Sequence, residues 1–280
     1  MSARLLLVAA CVAVLAAAQD DMNAPFPPHR IADNLYYVGS KGLATYLITT
    51  PQGHILINSG YERTVPVILG NMLKLGFKPT DVKILLASHA HSDHVEGMAA
   101  LQQATGGHVF AMEGDAEVMA KGGEGQYLYK DHWTPVKVDR VLHDGDTVTL
   151  GGATLTAHLT PGHTRGCTTW TMKVKDKGKT YDVVIVGSPN VNPGFQLVHN
   201  ADYPEIADDY ARTFRVLKSL HCDIFLGAHG SYYNLEEKYA ALKVGVKGNP
   251  FVDPQGYQAY VADREKAYLD ALENQKKAVK

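Results

Sequence analysis

The ten residues from Ser88 to Gly97 restrict what this chain can fold into more than any other stretch. Three imidazoles and a carboxylate fall within six of these residues, from His89 to His94. The segment follows the apolar run Val82 to Ala87, which is typical of a buried strand. Imidazole and carboxylate groups suit Zn²⁺, and His89 and His91 can point the same way from an extended backbone because one residue separates them. The sequence therefore predicts a metal site at the end of a buried strand.

The segment supplies more ligands than one metal needs. Asp93 and His94 lie at the predicted turn into a helix, from which they can face a second point in space. A catalytic zinc takes about three protein ligands and keeps one position open, so the surplus indicates two metals that share a site. The alternative, a chance cluster of histidines on a solvated surface, is disfavoured because this pattern is much narrower than a lone histidine.

Two further histidines follow predicted strands in glycine-flanked turns, where a backbone can approach a metal closely. His163 lies within Thr160 to Thr164, and His229 lies within Gly227 to Gly230. Each alone is more often structural than a ligand, but together with the first segment they complete two sets of three candidates. Other histidines lack such settings and are predicted to be ordinary packed or solvated residues; these include His54, His108, His132, His143, His158, His199 and His221.

Composition indicates one globular α/β domain and excludes several classes of protein. The chain has 280 residues, of which 45% are hydrophobic and 20% are charged, as in ordinary soluble proteins. The formal net charge is −2, so the chain lacks the excess of basic residues that is typical of nucleic-acid-binding proteins. Apart from the N-terminal run described next, no stretch approaches the ~20 apolar residues of a membrane helix.

The first eighteen residues have the pattern of a secretory signal. Arg4 precedes the apolar run Leu5 to Ala18, which ends in three small residues, so we expect cleavage after Ala18. The alternative is a lipoprotein signal that uses Cys11, which is disfavoured because the apolar run continues well past this cysteine. We therefore expect a signal over residues 1–18 and a single domain over residues 19–280. This domain is expected to be monomeric, periplasmic or secreted, and without stable membrane association.

Two cysteines remain after the predicted signal, Cys167 and Cys222. An oxidising compartment permits a disulfide between them, but the sequence does not reveal whether their Cα atoms come close enough. Each could instead be a free buried thiol. Both alternatives are open at the level of the sequence.

Beyond a proline-rich lead-in over residues 19–34, predicted strands and helices alternate. The first three strands are separated by short turns, which predicts an antiparallel meander. Predicted strands are Leu35 to Val38, Ala44 to Thr49, His54 to Asn58, Val82 to Ala87, His108 to Met112, Val136 to Leu142, Thr147 to Leu150, Ala153 to Leu159, Thr168 to Val174, Tyr181 to Val186 and Asp223 to Leu226. Predicted helices are Thr64 to Gly76, Val95 to Ala104, Ala116 to Ala120, Pro204 to Leu220, Leu235 to Leu242 and Pro254 to Lys276.

The stretch from Lys121 to Pro135 combines a glycine-rich start with aromatic residues. It contains Gly122, Gly123, Gly125, Tyr127, Tyr129 and Trp133. One interpretation is an ordinary surface loop with partly buried rings. The other is a flap that borders a substrate.

The candidate metal ligands make the sequence resemble the metallo-β-lactamase superfamily, whose HxHxDH segment is present from His89 to His94. The resemblance covers essentially the whole chain after the predicted signal. It implies an α/β fold of four layers, an αββα sandwich, with the site along one edge of the two sheets. It also implies two Zn²⁺ ions per chain, the first bound by His89, His91 and His163 and the second by Asp93, His94 and His229.

The position after the strand Tyr181 to Val186 narrows the resemblance. Glyoxalase-II-like thioesterases, lactonases and many other hydrolases of the superfamily have an aspartate there that bridges the metals, and the first lactamase subclass has a cysteine. The segment Gly187 to Phe195 contains neither residue. The block Asn192 to Leu197 resembles the third subclass in particular, together with Asp209-Tyr210 and Cys222-Asp223.

The implied function is hydrolysis of the lactam amide of β-lactam antibiotics, which are small molecules, by a metal-bound hydroxide. Two zinc ions about 3.5–4 Å apart lower the pKa of a bound water toward ~7 and stabilise charge as the amide opens. Asp93 would orient this nucleophile and is the implied catalytic residue. A serine nucleophile at Ser92 is disfavoured because it lies among metal ligands without the usual setting. Two alternatives remain, a lactonase or thioesterase of the same fold and a non-enzymatic zinc-binding protein.

Three positions depart from patterns found in relatives. Phe195 stands where some members have a tyrosine that is suggested to polarise the substrate carbonyl, and a phenyl ring has no hydroxyl. Asn58 stands where many superfamily members have an aspartate. Relatives often have serines near Pro189 and Val191 that contact the substrate carboxylate. For this chain, the corresponding candidates are Asn190, Asn192 and Arg165.

Overall fold

A computed structural model describes residues 22–279, so the predicted signal lies outside the described residues. Strands of this part form two sheets. The first sheet contains, in spatial order, β1 (His29–Ala32), β2 (Leu35–Tyr37), β3 (Tyr46–Thr50), β4 (Gly53–Ile57), β5 (Val82–Leu86), β6 (His108–Met112) and β7 (Val138–Leu142). The second sheet contains β8 (Thr147–Leu150), β9 (Ala153–Leu159), β10 (Thr168–Asp176), β11 (Lys179–Val186) and β12 (Ile224–Gly227), in the spatial order β12-β11-β10-β9-β8.

Helices occupy the outer layers. Those in the first half of the chain are α1 (Val65–Lys74), α2 (Ser92–Val95), α3 (Met98–Thr105) and α4 (Ala116–Ala120). Those in the second half are α5 (Ile206–Ser219), α6 (Leu235–Lys243) and α7 (Pro254–Ala278). Short 3₁₀ turns lie at Glu62–Thr64, Pro79–Asp81 and Gly230–Tyr233.

The strands β3, β4 and β5 are buried on both faces, which explains their nearly continuous apolar sequences. Successive side chains of a strand point to opposite faces. In β5, Ile84 and Leu86 therefore belong to the core between the two sheets, whereas Leu85 packs in the core under the helices. In β3, Tyr46 and Leu47 divide between the two cores in the same way.

The two cores define four layers. One core fills the space between the sheets and continues onto α5 and α7, through residues such as Phe214 and Tyr268. The other core joins the outer face of the first sheet to the helices, through residues such as Ile68 and Leu101. The predicted αββα sandwich is thereby confirmed.

Strand directions bring several strand ends to one edge. β2, β3 and β4 pair antiparallel, as predicted, while β4 to β7 run parallel. In the second sheet β12 runs parallel to β11, and the remaining pairs are antiparallel. The carboxyl ends of β5, β11 and β12 and the β9–β10 connection meet at this edge, where an isolated bridge pairs Leu43 of the first half with His229.

Two local features differ from the sequence prediction. The lead-in over residues 19–34 includes the strand β1, which pairs antiparallel with β2 through Arg30 and Tyr36. The single helix predicted from Val95 to Ala104 is two helices, α2 and α3. They are interrupted at Gly97, whose amide donates to the Gly60 carbonyl (3.1 Å) and where a Cβ would lie only 2.6 Å from a methyl of Val65.

Cys167 and Cys222 are both free and buried, so the thiol alternative holds. They lie at opposite ends of the second sheet, since Cys167 precedes β10 near the end of β11 and Cys222 precedes β12 near Val183. Within residues 22–279, no helix is long and apolar enough to span a membrane.

The N-terminal strand is fixed by a buried histidine. His29 stacks between Tyr37 and Phe251, at ring-centroid distances of 5.3 and 5.6 Å. Its Nδ1 donates to the Pro27 carbonyl (3.0 Å), while its Nε2 is buried without a partner. Burial lowers the pKa of His29 from 6.5 to about 4, because a protonated ring would lose its hydration there.

This histidine should make stability depend on pH. Its folded-state pKa lies below the unfolded value, so stability is lost as pH falls from about 6.5 toward 4. Between pH 7 and pH 4.5 the loss due to His29 should be about 2 kcal/mol. We expect His29→Phe, which keeps the stacking, to remove that part of the pH dependence. Urea unfolding of both proteins at the two pH values measures it, and equal pH losses would contradict the prediction.

Candidate metal centre

All six predicted ligands converge at the edge where the strand ends meet. His89 and His91 follow β5 directly, and Asp93 and His94 lie in α2, the short helix that starts at Ser92. The two distal ligands come from the second sheet. His163 lies in the β9–β10 connection and His229 follows β12. The first sheet thus supplies four ligands and the second sheet two.

His89, His91 and His163 form one compact set. One ring nitrogen from each lies within 4.8 Å of the others, and the three rings meet at centroid distances of 4.7–4.9 Å. Nδ1 of His163 donates to the carbonyl of Asn190 (2.8 Å), which fixes the ring and leaves Nε2 available to a metal. This set matches the first zinc site that the resemblance implies.

Asp93, His94 and His229 form the second set. The Nε2 atoms of the two histidines are 3.1 Å apart, and an Asp93 oxygen lies 3.3 Å from the first and 3.4 Å from the second. Ligand atoms ~2.0–2.1 Å from a tetrahedral zinc are about 3.3 Å from one another, so these three atoms have the spacing of one face of such a site. His89 also lies within 4.8 Å of Asp93 and His94, so the two sets adjoin.

Five of the six predicted ligands, His89, His91, Asp93, His163 and His229, have pKa values shifted toward the protonation states that metal binding requires. Burial lowers the pKa of His91 to about 3 and those of His163 and His229 to about 4, and it holds the pKa of His89 well below 6.5. Burial alone would raise the pKa of Asp93, but the adjacent imidazoles outweigh it and keep the pKa below its usual range. Neutral imidazoles and an ionised carboxylate at neutral pH fit a divalent cation.

Asn58 holds the start of the ligand segment. Its Oδ1 accepts from the Ser88 amide (2.7 Å) and its Nδ2 donates to the Ala44 carbonyl (3.3 Å). A carboxylate could not make the second bond because it has no donor. The neutral amide therefore suits this position, where many superfamily members have an aspartate.

A cavity of about 380 Å³ opens onto the metal ligands. His91, Asp93, His163 and His229 are among the residues that line it. Its other lining residues are Tyr61, Ser92, Tyr129, Asp131, Asn190, Asn192, Ser231 and Tyr232.

The glycine-rich stretch from 121 to 135 contributes Tyr129 and Asp131 to this cavity, which supports the interpretation that it borders a substrate. The Tyr129 ring meets that of His91 edge-on at 4.9 Å, and its hydroxyl accepts from Nδ2 of Asn192 (2.8 Å). The Oδ2 of Asp131 accepts from the Ser92 hydroxyl (2.8 Å). The stretch is thus joined both to α2 and to the loop after β11.

The three predicted substrate contacts lie in different places. Asn190 and Asn192 both line the cavity. Arg165 instead donates to the Asp202 carbonyl (2.6 Å) and stacks over the Tyr203 ring at 4.2 Å. Its guanidinium is not among the groups that line the cavity.

Phe195 is buried behind the ligands. Its ring lies 5.8 Å from that of His163 and 5.3 Å from that of Tyr127. At this position the chain offers apolar packing for a ligand histidine and no hydrogen-bond donor.

Four residues that line the cavity were not predicted from the sequence, and we refer to the lining residues outside the metal ligands as the rim. These four are Tyr61, Asp131, Ser231 and Tyr232. The hydroxyl of Tyr232 lies 3.2 Å from that of Ser188 and accepts from Nδ2 of Asn190 (2.8 Å). Burial raises its pKa, so the hydroxyl stays protonated. Its position three residues after His229, in the 3₁₀ turn that follows this ligand, is the signal that could have identified it.

The sequence of residues 43–229 matches the family model described as the metallo-beta-lactamase superfamily. This chain belongs to the metallo-β-lactamase superfamily. That membership, predicted from the HxHxDH segment, is confirmed.

Among solved structures, the FEZ-1 metallo-β-lactamase from Legionella gormanii is similar at 52% identity and a TM-score of 0.89, over 90% of this chain and 98% of that one. BJP-1, a subclass B3 metallo-β-lactamase of Bradyrhizobium japonicum, is 38% identical with a TM-score of 0.87, over 94% and 100% of the two chains. The B3 assignment of BJP-1 agrees with the resemblance to the third subclass.

Curated relatives are more distant. A probable metallo-hydrolase of Burkholderia pseudomallei is 31% identical over 40% of this chain and 38% of its own length. An atrochrysone carboxyl ACP thioesterase of Aspergillus fumigatus is 26% identical over 71% of this chain and 54% of its own length. The chain therefore spans less than two thirds of the length of either relative.

Proposed function

We propose that this chain is a zinc-dependent β-lactamase that hydrolyses the amide bond of β-lactam antibiotics and thereby confers resistance to them. The observation that carries the proposal is the pair of adjoining three-ligand sets, the second of which is completed by His229 with no acid between Gly187 and Phe195. The 52% identity to a metallo-β-lactamase over 90% of the chain supports the same substrate class.

Two Zn²⁺ ions fit the donor chemistry of the two sets. His89, His91 and His163 would hold one ion, and Asp93, His94 and His229 would hold the other. When bound, zinc would act as a Lewis acid and make water a stronger acid near neutral pH.

The protein's own groups then have distinct tasks. The ionised carboxylate of Asp93 faces the cavity beside both sets, where it can orient an attacking water and accept its proton. The hydrogen bond from His163 to the Asn190 carbonyl keeps that ligand in one orientation. Tyr129 and Asp131 line the cavity beside the ligands, and their side chains join this wall to the loop after β11 and to α2.

Contacts to the substrate carboxylate are assigned to polar donors of the rim. Asn192 uses Nδ2 to bond Tyr129, which leaves its second N–H for a ligand. Asn190 and the protonated Tyr232 lie together on the same wall. We favour these three groups over Arg165, whose guanidinium is engaged by Asp202 and Tyr203.

The principal rival is a lactonase or thioesterase of the same fold, and one curated relative is a thioesterase. The absence of an acid from Gly187 to Phe195 argues against it.

The export of the chain and the signal over residues 1–18 stay predictions, which sequencing the N-terminus of the secreted or periplasmic protein would test.

The decisive experiment follows the loss of β-lactam absorbance with purified protein. A penicillin, a cephalosporin and a carbapenem are tested beside a lactone and a thioester of similar size. We expect turnover of at least one β-lactam, its loss after chelation, and its recovery with about two equivalents of Zn²⁺. Turnover of only the lactone or the thioester by zinc-loaded protein would establish the rival function. Metal binding without turnover of any of them would indicate a non-enzymatic role.

Asp93→Ala should lower kcat/KM for β-lactams by roughly 100-fold or more, because the variant loses a ligand of the second set and the group that orients water. Metal content should fall toward one equivalent. Metal analysis beside kinetics separates the two effects. Activity near that of the unaltered protein would exclude the assigned role.

Asn192→Ala should raise KM for β-lactams roughly fivefold, which corresponds to about 1 kcal/mol for one hydrogen bond. Arg165→Ala is the matched control, and its KM should stay within about twofold. Steady-state kinetics on one cephalosporin compares the two variants. The opposite order of effects would assign the carboxylate contact to Arg165.

A further inference from the structure

Asp115 is a buried acid that the proposed chemistry does not use. It lies between β6 and α4, and its side chain is only 3% exposed. Its carboxylate accepts three hydrogen bonds, from the Ala90 amide (2.8 Å), the Thr164 hydroxyl (2.7 Å) and the Gly166 amide (2.9 Å). These three donors satisfy a carboxylate that has been removed from water.

The three donors belong to the two loops that carry the first metal set. Ala90 lies between the ligands His89 and His91, and Thr164 directly follows the ligand His163. One carboxylate therefore connects a loop of the first sheet to a loop of the second, within one residue of every ligand of that set. None of the second-set ligands, Asp93, His94 and His229, is adjacent in sequence to a donor to Asp115.

Close backbone packing keeps Asp115 in this position. A Cβ at Gly166 would lie 2.6 Å from the Asp115 Cβ and 2.5 Å from its amide nitrogen. A Cβ at Gly114, where φ is +86°, would lie 2.9 Å from the Arg165 Cβ. The turns 114–115 and 165–166 thus lie backbone against backbone, and only glycine fits at both contact points.

Two ordinary explanations for a buried acid do not apply. Asp115 occupies the N-cap position of α4, yet its side chain makes no capping hydrogen bond to that helix. It also does not line the cavity above the metal ligands, so it cannot touch a substrate there. The carboxylate serves the ligand loops.

We propose that Asp115 is a positioning residue for the first metal set, in which its carboxylate holds the loops of Ala90 and of Thr164 and Gly166 so that His89, His91 and His163 meet at one point. The proposal rests on the metal centre proposed above. Affinity for zinc at this set should therefore depend on Asp115 more than affinity at the second set does.

Asp115→Asn tests this in the full chain because it keeps the size of the side chain but turns one acceptor oxygen into an NH₂ group that faces a donor. The variant is made in two backgrounds. Asp93→Ala with His229→Ala leaves only the first set, and His91→Ala with His163→Ala leaves only the second. Competition for Zn²⁺ with a chromophoric chelator gives the affinity in each background.

We expect Asp115→Asn to weaken zinc binding by 10- to 100-fold in the first background, the usual range for groups that support a ligand, and by less than about threefold in the second. Asp209→Asn is the matched control, since Asp209 lies on α5, accepts from the Tyr203 hydroxyl and makes no hydrogen bond to either ligand loop. It should leave both affinities unchanged. Equal losses in the two backgrounds, or no loss in folded protein, would overturn the proposal.

If Asp115→Asn does not fold, Thr164 provides a milder test. Thr164→Val removes one of the three donors at nearly constant volume and should lower first-set affinity by about fivefold, while Thr164→Ser keeps the hydroxyl and should restore it. A loss that serine does not restore would overturn the proposal. These tests measure zinc affinity alone, so they remain informative even if the chain hydrolyses no β-lactam.

Discussion

The proposed metal centre depends on contact between the two sheets. Four proposed ligands follow β5 in the first sheet, whereas His163 and His229 belong to the second sheet. Neither sheet alone holds a complete set, so the ligands meet only when the inter-sheet core of residues such as Ile84, Leu86 and Trp170 has formed. Burial of apolar side chains thus drives the fold and also creates the polar site at its edge.

Local patterns explain why so much of the site could be predicted. Four ligands are contiguous in sequence, and the glycine-flanked turns at His163 and His229 are local features as well. The same holds for the buried strands, because a chain segment enclosed on both faces must be apolar throughout. The assignment of six ligands to two sets came from the family resemblance, since spacing alone does not specify which distal histidine joins which set.

The features that could not be predicted from the sequence depend on contacts between distant segments. Asp131 reaches the rim only because the loop from 121 to 135 folds over α2, where the Ser92 hydroxyl donates to it. The break between α2 and α3 lies at Gly97, whose amide donates to Gly60 and which lies close to Val65, and helical periodicity encodes neither contact. The proposed role of Asp115 could not be predicted from the sequence either, because its hydrogen-bond partners are 25 to 51 residues away.

A ligand placed just beyond the end of a strand, such as His89, has neighbouring backbone amides that the sheet no longer pairs. Beyond Leu86 the segment has left the ladder of the sheet, so its amides need other acceptors. The amide before His89 donates to Asn58 and the amide after it donates to Asp115, while the Ser88 carbonyl accepts from the Thr168 amide (2.7 Å). Side chains from separate elements therefore fix both sides of the ligand. The backbone on both sides of this proposed ligand is held by hydrogen bonds to its neighbours in sequence, whereas the Nδ1 of its own buried ring has no hydrogen-bond partner within residues 22–279.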